Sequence, residues 1–221
     1  MALLLSIVAA VIAFAMVYGA EARREALAAA REQAGRRAAL EAGTLIADVG
    51  KFRVLPFVLT ELPDVPGALV QRSPASIARL DATLKTLAQR TGATVFYAID
   101  RVGIARSASN ADSADSFVGY DFRFRPYFLQ AMRRDQSEYF ALGSVTGRSG
   151  LFLARRAGTR ANPAGVIVVK IEFDRIEQLW RSAGQLSLVV DRDNVIVIGT
   201  RPDLRFKTIA PLTAARRGEL E

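Results

Sequence analysis

Chemistry in this chain concentrates in Ser116 to Phe128, which reads SFVGYDFRFRPYF. Two arginines, Arg123 and Arg125, stand among Phe117, Tyr120, Phe122, Phe124, Tyr127 and Phe128. Arg125 precedes Pro126, and a residue before proline is pushed into an extended conformation. Proline favours the first position of a helix, so the spacing predicts a short amphipathic helix over Tyr127 to Arg134 with Arg125 at its start. The guanidinium would then lie near the unpaired N–H groups of the first turn. A helix N-terminus suits anions, and a planar guanidinium grips a carboxylate through two parallel hydrogen bonds. The pattern points to a pocket for a small carboxylate. Read on residue types alone, a core turn with packed aromatics and solvated arginines ranks ahead of it, because arginine on a turn is common.

A second cation tips the balance. Lys170 sits in the middle of GVIVVKIEF, sharing a strand face with Val166 and Val168, while Ile167, Val169 and Ile171 face the other way. A lysine inside an apolar strand needs an anionic partner or a way to solvent. Glu172 shares its face and could be that partner. Otherwise Lys170 faces the Arg125 pocket. With hydroxyls from Ser144 and Tyr127, two such cations would suit a molecule with a carboxylate at each end. Gly143 and Ser144 close a strand, where loops carry sites.

Composition narrows the chemistry. The 221 residues contain no cysteine and no histidine, which removes disulfides, thiol chemistry, serine–histidine triads and any phospho-acceptor histidine. The net charge of +8 is almost all arginine, scattered without a long basic run, so nucleic acid is not the expected partner. Gly147 to Gly150 reads GRSG, not the G-x-S-x-G of a nucleophile elbow. No catalytic residue, metal site or cofactor is expected.

Around these residues the chain must build a scaffold. Met1 to Ala20 is apolar and free of charge, long enough to span a bilayer, and is expected to be an uncleaved anchor. Glu21 to about Val49 is rich in Ala, Glu, Arg and Leu, strong helix formers, with Leu40, Ile46, Val49 and Phe52 starting a packing stripe. Pro56 interrupts it, and Pro63, Pro66 and Gly67 mark a loop. Ser73 and Pro74 read as cap and first residue of a helix that ends at Gly92. From Ala93 the period changes to that of strands: Ala93 to Ile99, Gly103 to Ser109, Glu138 to Gly143, Leu151 to Arg156 and Gly165 to Phe173, then a helix from Asp174 to about Ser182. This is an α+β layer, an antiparallel sheet with helices on one side. Leu186 to Val190 and Asn194 to Gly199, around an Asp191 turn, echo the first hairpin and suggest a second, incomplete module ending in an apparent new helix at Glu221.

Four runs together resemble a known family: SASNADSADSFVGYDFRFRPYF, EYFALGSVTGRSG, GVIVVKIEFDRIEQLW and LVVDRDNVIVIGTRPDLRFKTIAPL. They are similar to the extracytoplasmic sensor region of DctB-type histidine kinases, over roughly Lys51 to Leu212. Such proteins sense four-carbon dicarboxylates and drive their uptake. The resemblance implies a membrane helix and long helix carrying two PAS-like (double Cache) modules, 92–183 binding ligand and 184–221 nearer the membrane, after an anchor at 1–20 and a helical region at 21–91. It implies a periplasmic sensor in the inner membrane and a homodimer through the long helix. It assigns the carboxylate arginine to Arg125, its aromatic neighbour to Tyr127, the hydroxyl to Ser144, beside Gly143, and the lysine to Lys170, with Asp121 and Phe122 lining the pocket. A tyrosine is common in the family at Phe122. The expected ligand is succinate, malate or fumarate. The alternative is a Cache sensor of a chemoreceptor or cyclase reading an amino acid, with Asp121 for the ammonium, or a monocarboxylate. Without histidine or a nucleotide-binding part, the chain is expected to be a sensor fragment.

Overall fold

The computed structural model describes residues 2–184 and 186–211, with side chains from residue 14 onward. One helix, α1 (Ala2–Arg53), runs unbroken through the Ala/Glu/Arg-rich stretch. Arg36 pairs with Glu32, and Arg37 with Glu41 at 2.9 Å, each one helical turn apart. Among the described residues, no helix is long and apolar enough to cross a membrane. The side chains of 1–13, most of the expected anchor, lie outside the described residues, as does the expected helix over 212–221. The chain divides into Met1–Asp48 and Val49–Glu221. The expected packing stripe splits there: Val49 and Phe52 are buried, whereas Leu40 and Ile46 are exposed.

The helix stops at Arg53 because Pro56 has no N–H for the carbonyl four residues back. Pro56 instead sits in the first turn of α2 (Leu55–Thr60). The segment expected as a loop is helical: α3 (Asp64–Pro66) passes into a π-helical turn, Gly67–Gln71, closed by Arg72 at φ 55°. Then comes α4 (Pro74–Thr91), stopped by Gly92 at φ 75°. Ser73 has the extended backbone of a cap, but its hydroxyl makes no capping bond.

Five strands follow: β1 (Val95–Asp100), β2 (Ala105–Ala108), β3 (Gln136–Leu142), β4 (Ser149–Gly158) and β5 (Pro163–Ile171). Their order is β2-β1-β5-β4-β3, with every pair antiparallel. Helix α5 (Pro126–Arg134) lies between β2 and β3 in sequence, and α6 (Asp174–Ser182) follows β5. Strand alternation sorts the sheet into two faces. Val95, Tyr97, Ile99, Phe152, Ala154, Val166 and Val168 form one core with Phe117, Phe122 and α5's Tyr127, Phe128 and Ala131. Phe96, Ala98, Leu153, Ile167 and Val169, of opposite parity, are buried as well, and α2 and α4, with buried Leu59, Leu80 and Leu84, pack against these strands. Helices therefore cover both faces, not one as expected. A run as apolar as GVIVV, buried on every residue, requires cover on both sides. Each large side chain so buried contributes about 1.5–3 kcal/mol.

The expected echo of the first hairpin is met in the hydrogen bonding. Asp100 Oδ1 accepts the N–H groups of Val102 and Ile104, each at 3.0 Å, and Asp191 Oδ1 those of Asp193 and Val195 at 2.8 and 3.0 Å. Asp100 N–H donates to Ile104 O at 2.8 Å, and Asp191 N–H to Val195 O at 2.9 Å. The turn needs a left-handed residue, which is Gly103 at φ 97° in one copy and Asn194 at φ 61° in the other. The second copy forms β6 (Leu188–Val190) and β7 (Ile196–Gly199), a separate two-stranded sheet. The returning chain repeats too: Ala105 N–H bonds Tyr120 O at 3.0 Å, and Ile196 N–H bonds Lys207 O at 2.9 Å.

Candidate functional site

Arg125 has the extended backbone expected before proline, φ −72° and ψ 131°, and α5 begins at Pro126. Its guanidinium does not stay with the first-turn N–H groups, which repel a cation. It reaches across to β3, where Nη2 donates to Leu142 O at 2.7 Å. The group lies 5.5 Å from the Tyr127 ring centre and 5.7 Å from that of Phe152, close enough for cation–π attraction. Tyr127 stacks on Phe152, ring centres 4.7 Å apart. Arg125 Nε is buried without a hydrogen-bond partner. An unmet donor of this kind costs roughly 1–3 kcal/mol, and a bound acceptor would recover it.

Lys170 is opposite Phe152 on β4 and Val95 on β1, which fixes its height on the sheet. It is fully buried. Its ammonium lies 5.8 Å from the centre of the same Phe152 ring and 6.0 Å from that of Phe117. Nζ donates to Glu172 Oε1 at 2.5 Å and to Thr146 Oγ1 at 2.9 Å. The anticipated partner Glu172 is thus engaged, and Lys170 also borders the Arg125 cluster through Phe152. Gly143 makes this fit possible: a Cβ there would stand 2.9 Å from Arg148 O, 3.1 Å from Lys170 Nζ and 3.2 Å from Thr146 Oγ1.

Tyr97 on β1 donates to the Tyr127 hydroxyl at 2.8 Å. Burial pushes both phenols up, Tyr97 well above the usual tyrosine value, while the Arg125 charge pulls the other way. Both stay neutral at physiological pH. With its oxygen accepting from Tyr97, the Tyr127 hydroxyl keeps its own proton to donate.

Arg125, Tyr127 and Lys170 therefore gather around Phe152, with Gly143 against the Lys170 ammonium. Ser144 does not join them; it is exposed, and the hydroxyl on Lys170 belongs to Thr146. Phe122 is buried in the core, its ring centre 5.2 Å from that of Tyr97. Asp121 is committed to Arg123, accepting from its N–H at 2.9 Å and its Nε at 2.7 Å. The sequence reading missed Tyr97, Thr146 and Phe152. Strand parity offered a signal for Tyr97, since a tyrosine flanked by Val95 and Ile99 faces the core and its hydroxyl needs a partner.

No family model matches the chain. The fold has counterparts among solved structures. The sensor domain of the V. cholerae histidine kinase DctB superimposes with a TM-score of 0.76 at 27% identity, covering 86% of this chain and 74% of that one. The ligand-binding domain of the Pseudomonas fluorescens chemoreceptor CtaA, solved with L-serine, does so at 0.60 with 15% identity over 80% of this chain and 75% of its own, a likeness of fold. The chain shares the fold of these sensor and ligand-binding domains. Its sequence relatives are the C4-dicarboxylate transport sensor proteins DctB: 40% identity over 215 residues with that of Rhizobium meliloti, covering 97% of this chain and 34% of the relative. With that of Pseudomonas aeruginosa the identity is 34% over 182 residues, 82% of this chain and 30% of the relative. The chain spans about a third of the length of these relatives.

Proposed function

We propose that this chain is the ligand-sensing part of a two-component sensor kinase and that it binds a four-carbon dicarboxylate. One observation carries the reading: two cations, Arg125 and Lys170, border a single aromatic ring, with centroid distances of 5.7 and 5.8 Å. In this reading the two cations grip the two ends of one short molecule. Arg125 offers an unmet Nε donor for one carboxylate, Tyr127 a hydroxyl proton, and Lys170 with Thr146 the contacts for the other. The DctB relatives, described as C4-dicarboxylate transport sensors, support the same ligand class. The same proposal takes the protein to be membrane-anchored, with this region in the periplasm, and to work as a homodimer through α1. The repeated hairpin at β6 and β7 supports a second PAS-like module after the binding module. Binding shifts the signalling state only through different affinity for the two states.

A second reading, an amino-acid sensor, has one favourable observation. Glu172, not Asp121, places a carboxylate beside the site that could take an ammonium. One experiment separates the two. The purified full chain, in a mild non-ionic detergent, is heated with and without millimolar succinate, malate, fumarate, acetate or glutamate. A dicarboxylate at about 100 times its dissociation constant adds about 2.7 kcal/mol of stability. That gain appears with succinate, malate or fumarate and vanishes in Arg125→Ala. A gain with glutamate alone favours the amino-acid reading, and none with any dicarboxylate from the folded chain sinks the first.

A further inference from the structure

Lys170 is already occupied. Its ammonium has three N–H donors, and two are spent on Glu172 and Thr146. The Glu172 carboxylate bridges two cations: Oε1 is 2.5 Å from Lys170 Nζ, and Oε2 is 3.6 Å from Arg148 Nη1. The two cations differ sharply. Lys170 is fully buried, whereas the Arg148 side chain is 69% exposed and also lies 3.9 Å from Asp174 at the start of α6. Glu172 sits one residue past the end of β5, with its N–H held by Thr94 Oγ1 at 3.0 Å. Its side chain can therefore turn toward Arg148 without moving the sheet.

We infer that Glu172 is an internal competitor for the ligand: its carboxylate occupies Lys170 in the unliganded protein, and a dicarboxylate displaces it onto Arg148. The inference rests on the reading of Arg125 and Lys170 as the dicarboxylate site. The reason is charge. Arg125 and Lys170 match two carboxylates only when the Glu172 charge is elsewhere. Two carboxylates crowded on one ammonium in a dry site repel strongly. Arg148 makes displacement possible, because Glu172 leaves one cation already in contact with another. A ligand must then win Lys170 from a tethered rival, so its apparent affinity falls in proportion to the fraction of protein with Lys170 open. A monocarboxylate held at Arg125 alone leaves Glu172 in place. A dicarboxylate moves it, and Glu172 thereby becomes a determinant of selectivity and the first group to move on binding.

The test titrates the full chain in non-ionic detergent with succinate by calorimetry, for the parent, Glu172→Gln, Arg148→Ala and the double variant. Glutamine keeps an acceptor beside Lys170 but loses the charge. Glu172→Gln is expected to bind succinate about tenfold more tightly or better, with acetate affinity changed far less. Arg148→Ala removes the displaced carboxylate's destination and weakens succinate binding several-fold. In the Glu172→Gln background that weakening disappears, whereas a simple loss of positive potential would persist. Equal or weaker binding by Glu172→Gln overturns the inference, as does an Arg148→Ala effect that survives in the double variant. Should Glu172→Gln fail to fold, Arg148→Ala decides alone: unchanged succinate affinity overturns the inference. A folded parent that binds no dicarboxylate overturns the site reading itself, a result distinct from a parent that binds and a Glu172→Gln that binds no tighter.

Discussion

Replacing Lys170 by methionine separates the charge of this site from its packing. Methionine has nearly the length of the lysine stem and meets the same neighbours, the Phe152 and Phe117 rings. Removing one member of a buried ion pair costs about 3–5 kcal/mol when the other is stranded. Glu172 is not stranded, because Arg148 Nη1 is 3.6 Å from its second oxygen. The expected cost is therefore smaller, about 1–2 kcal/mol, a fall in Tm of roughly 2–8 °C for a chain of this size. Binding should suffer more. A carboxylate about 4 Å from an ammonium gains about 4 kcal/mol at the effective dielectric of such sites, of which about 1.4 kcal/mol is offset by displacing Glu172, so succinate affinity should fall on the order of a hundredfold. Thermal unfolding reads the first quantity and calorimetric titration with succinate the second. Succinate affinity within about threefold of the parent would refute the role given to Lys170. A Tm drop well beyond about 10 °C would refute the claim that Arg148 can hold Glu172 alone.

Further outcomes follow from the same contacts. Gly143→Ala should cost about 1–3 kcal/mol in chemical denaturation, because the new Cβ meets Arg148 O at 2.9 Å and must push the Thr146 turn off Lys170; an unchanged midpoint contradicts this. Burial raises the Tyr97 and Tyr127 phenols in the folded chain, so above the ordinary tyrosine value of about 10 the unfolded state loses its protons first and stability falls as pH rises. Tyr97→Phe removes one of the two groups and should make that alkaline decline shallower, as read from denaturation midpoints between about pH 9 and 11. The repeated hairpins also differ in burial. Asp100 is fully buried and pairs with Arg72 and Arg106, so Asp100→Ala should cost about 3–5 kcal/mol. Asp191→Ala, at an exposed turn, should cost nearer 1 kcal/mol, and equal losses would contradict the assignment.

Local rules carried the sequence reading a long way. The Arg125-Pro126 step placed the start of α5 because both constraints act within one peptide unit. The spacing of Leu80 and Leu84, the stop at Gly92 and the apolar run at Val166–Val169 gave α4 and β5 for the same reason. Even the hairpin repeat was visible, since an aspartate that caps its own turn does so through neighbours two and four residues on. The reading failed where distant segments meet. Pro63 and Pro66 read as loop formers, yet Pro63 caps and Pro66 ends the helical turn α3, which runs on into the π-helical turn. Ser144 and Thr146 are two residues apart in one turn, and nothing local says which hydroxyl reaches Lys170.

By itself the sequence determined the two cations, the aromatic setting between them, the alternating strands and the long helix, all consequences of residue type and short-range geometry. Only the tertiary structure decided their partners. The β4–β5 register put Phe152 beside Lys170, and the fold brought Leu142 to Arg125, Tyr97 to Tyr127 and Thr146 to Lys170. Those contacts span from 17 to 30 residues of chain. They depend on how the sheet closes and which faces the helices cover, and this follows from the total burial of apolar surface rather than from any one stretch of sequence.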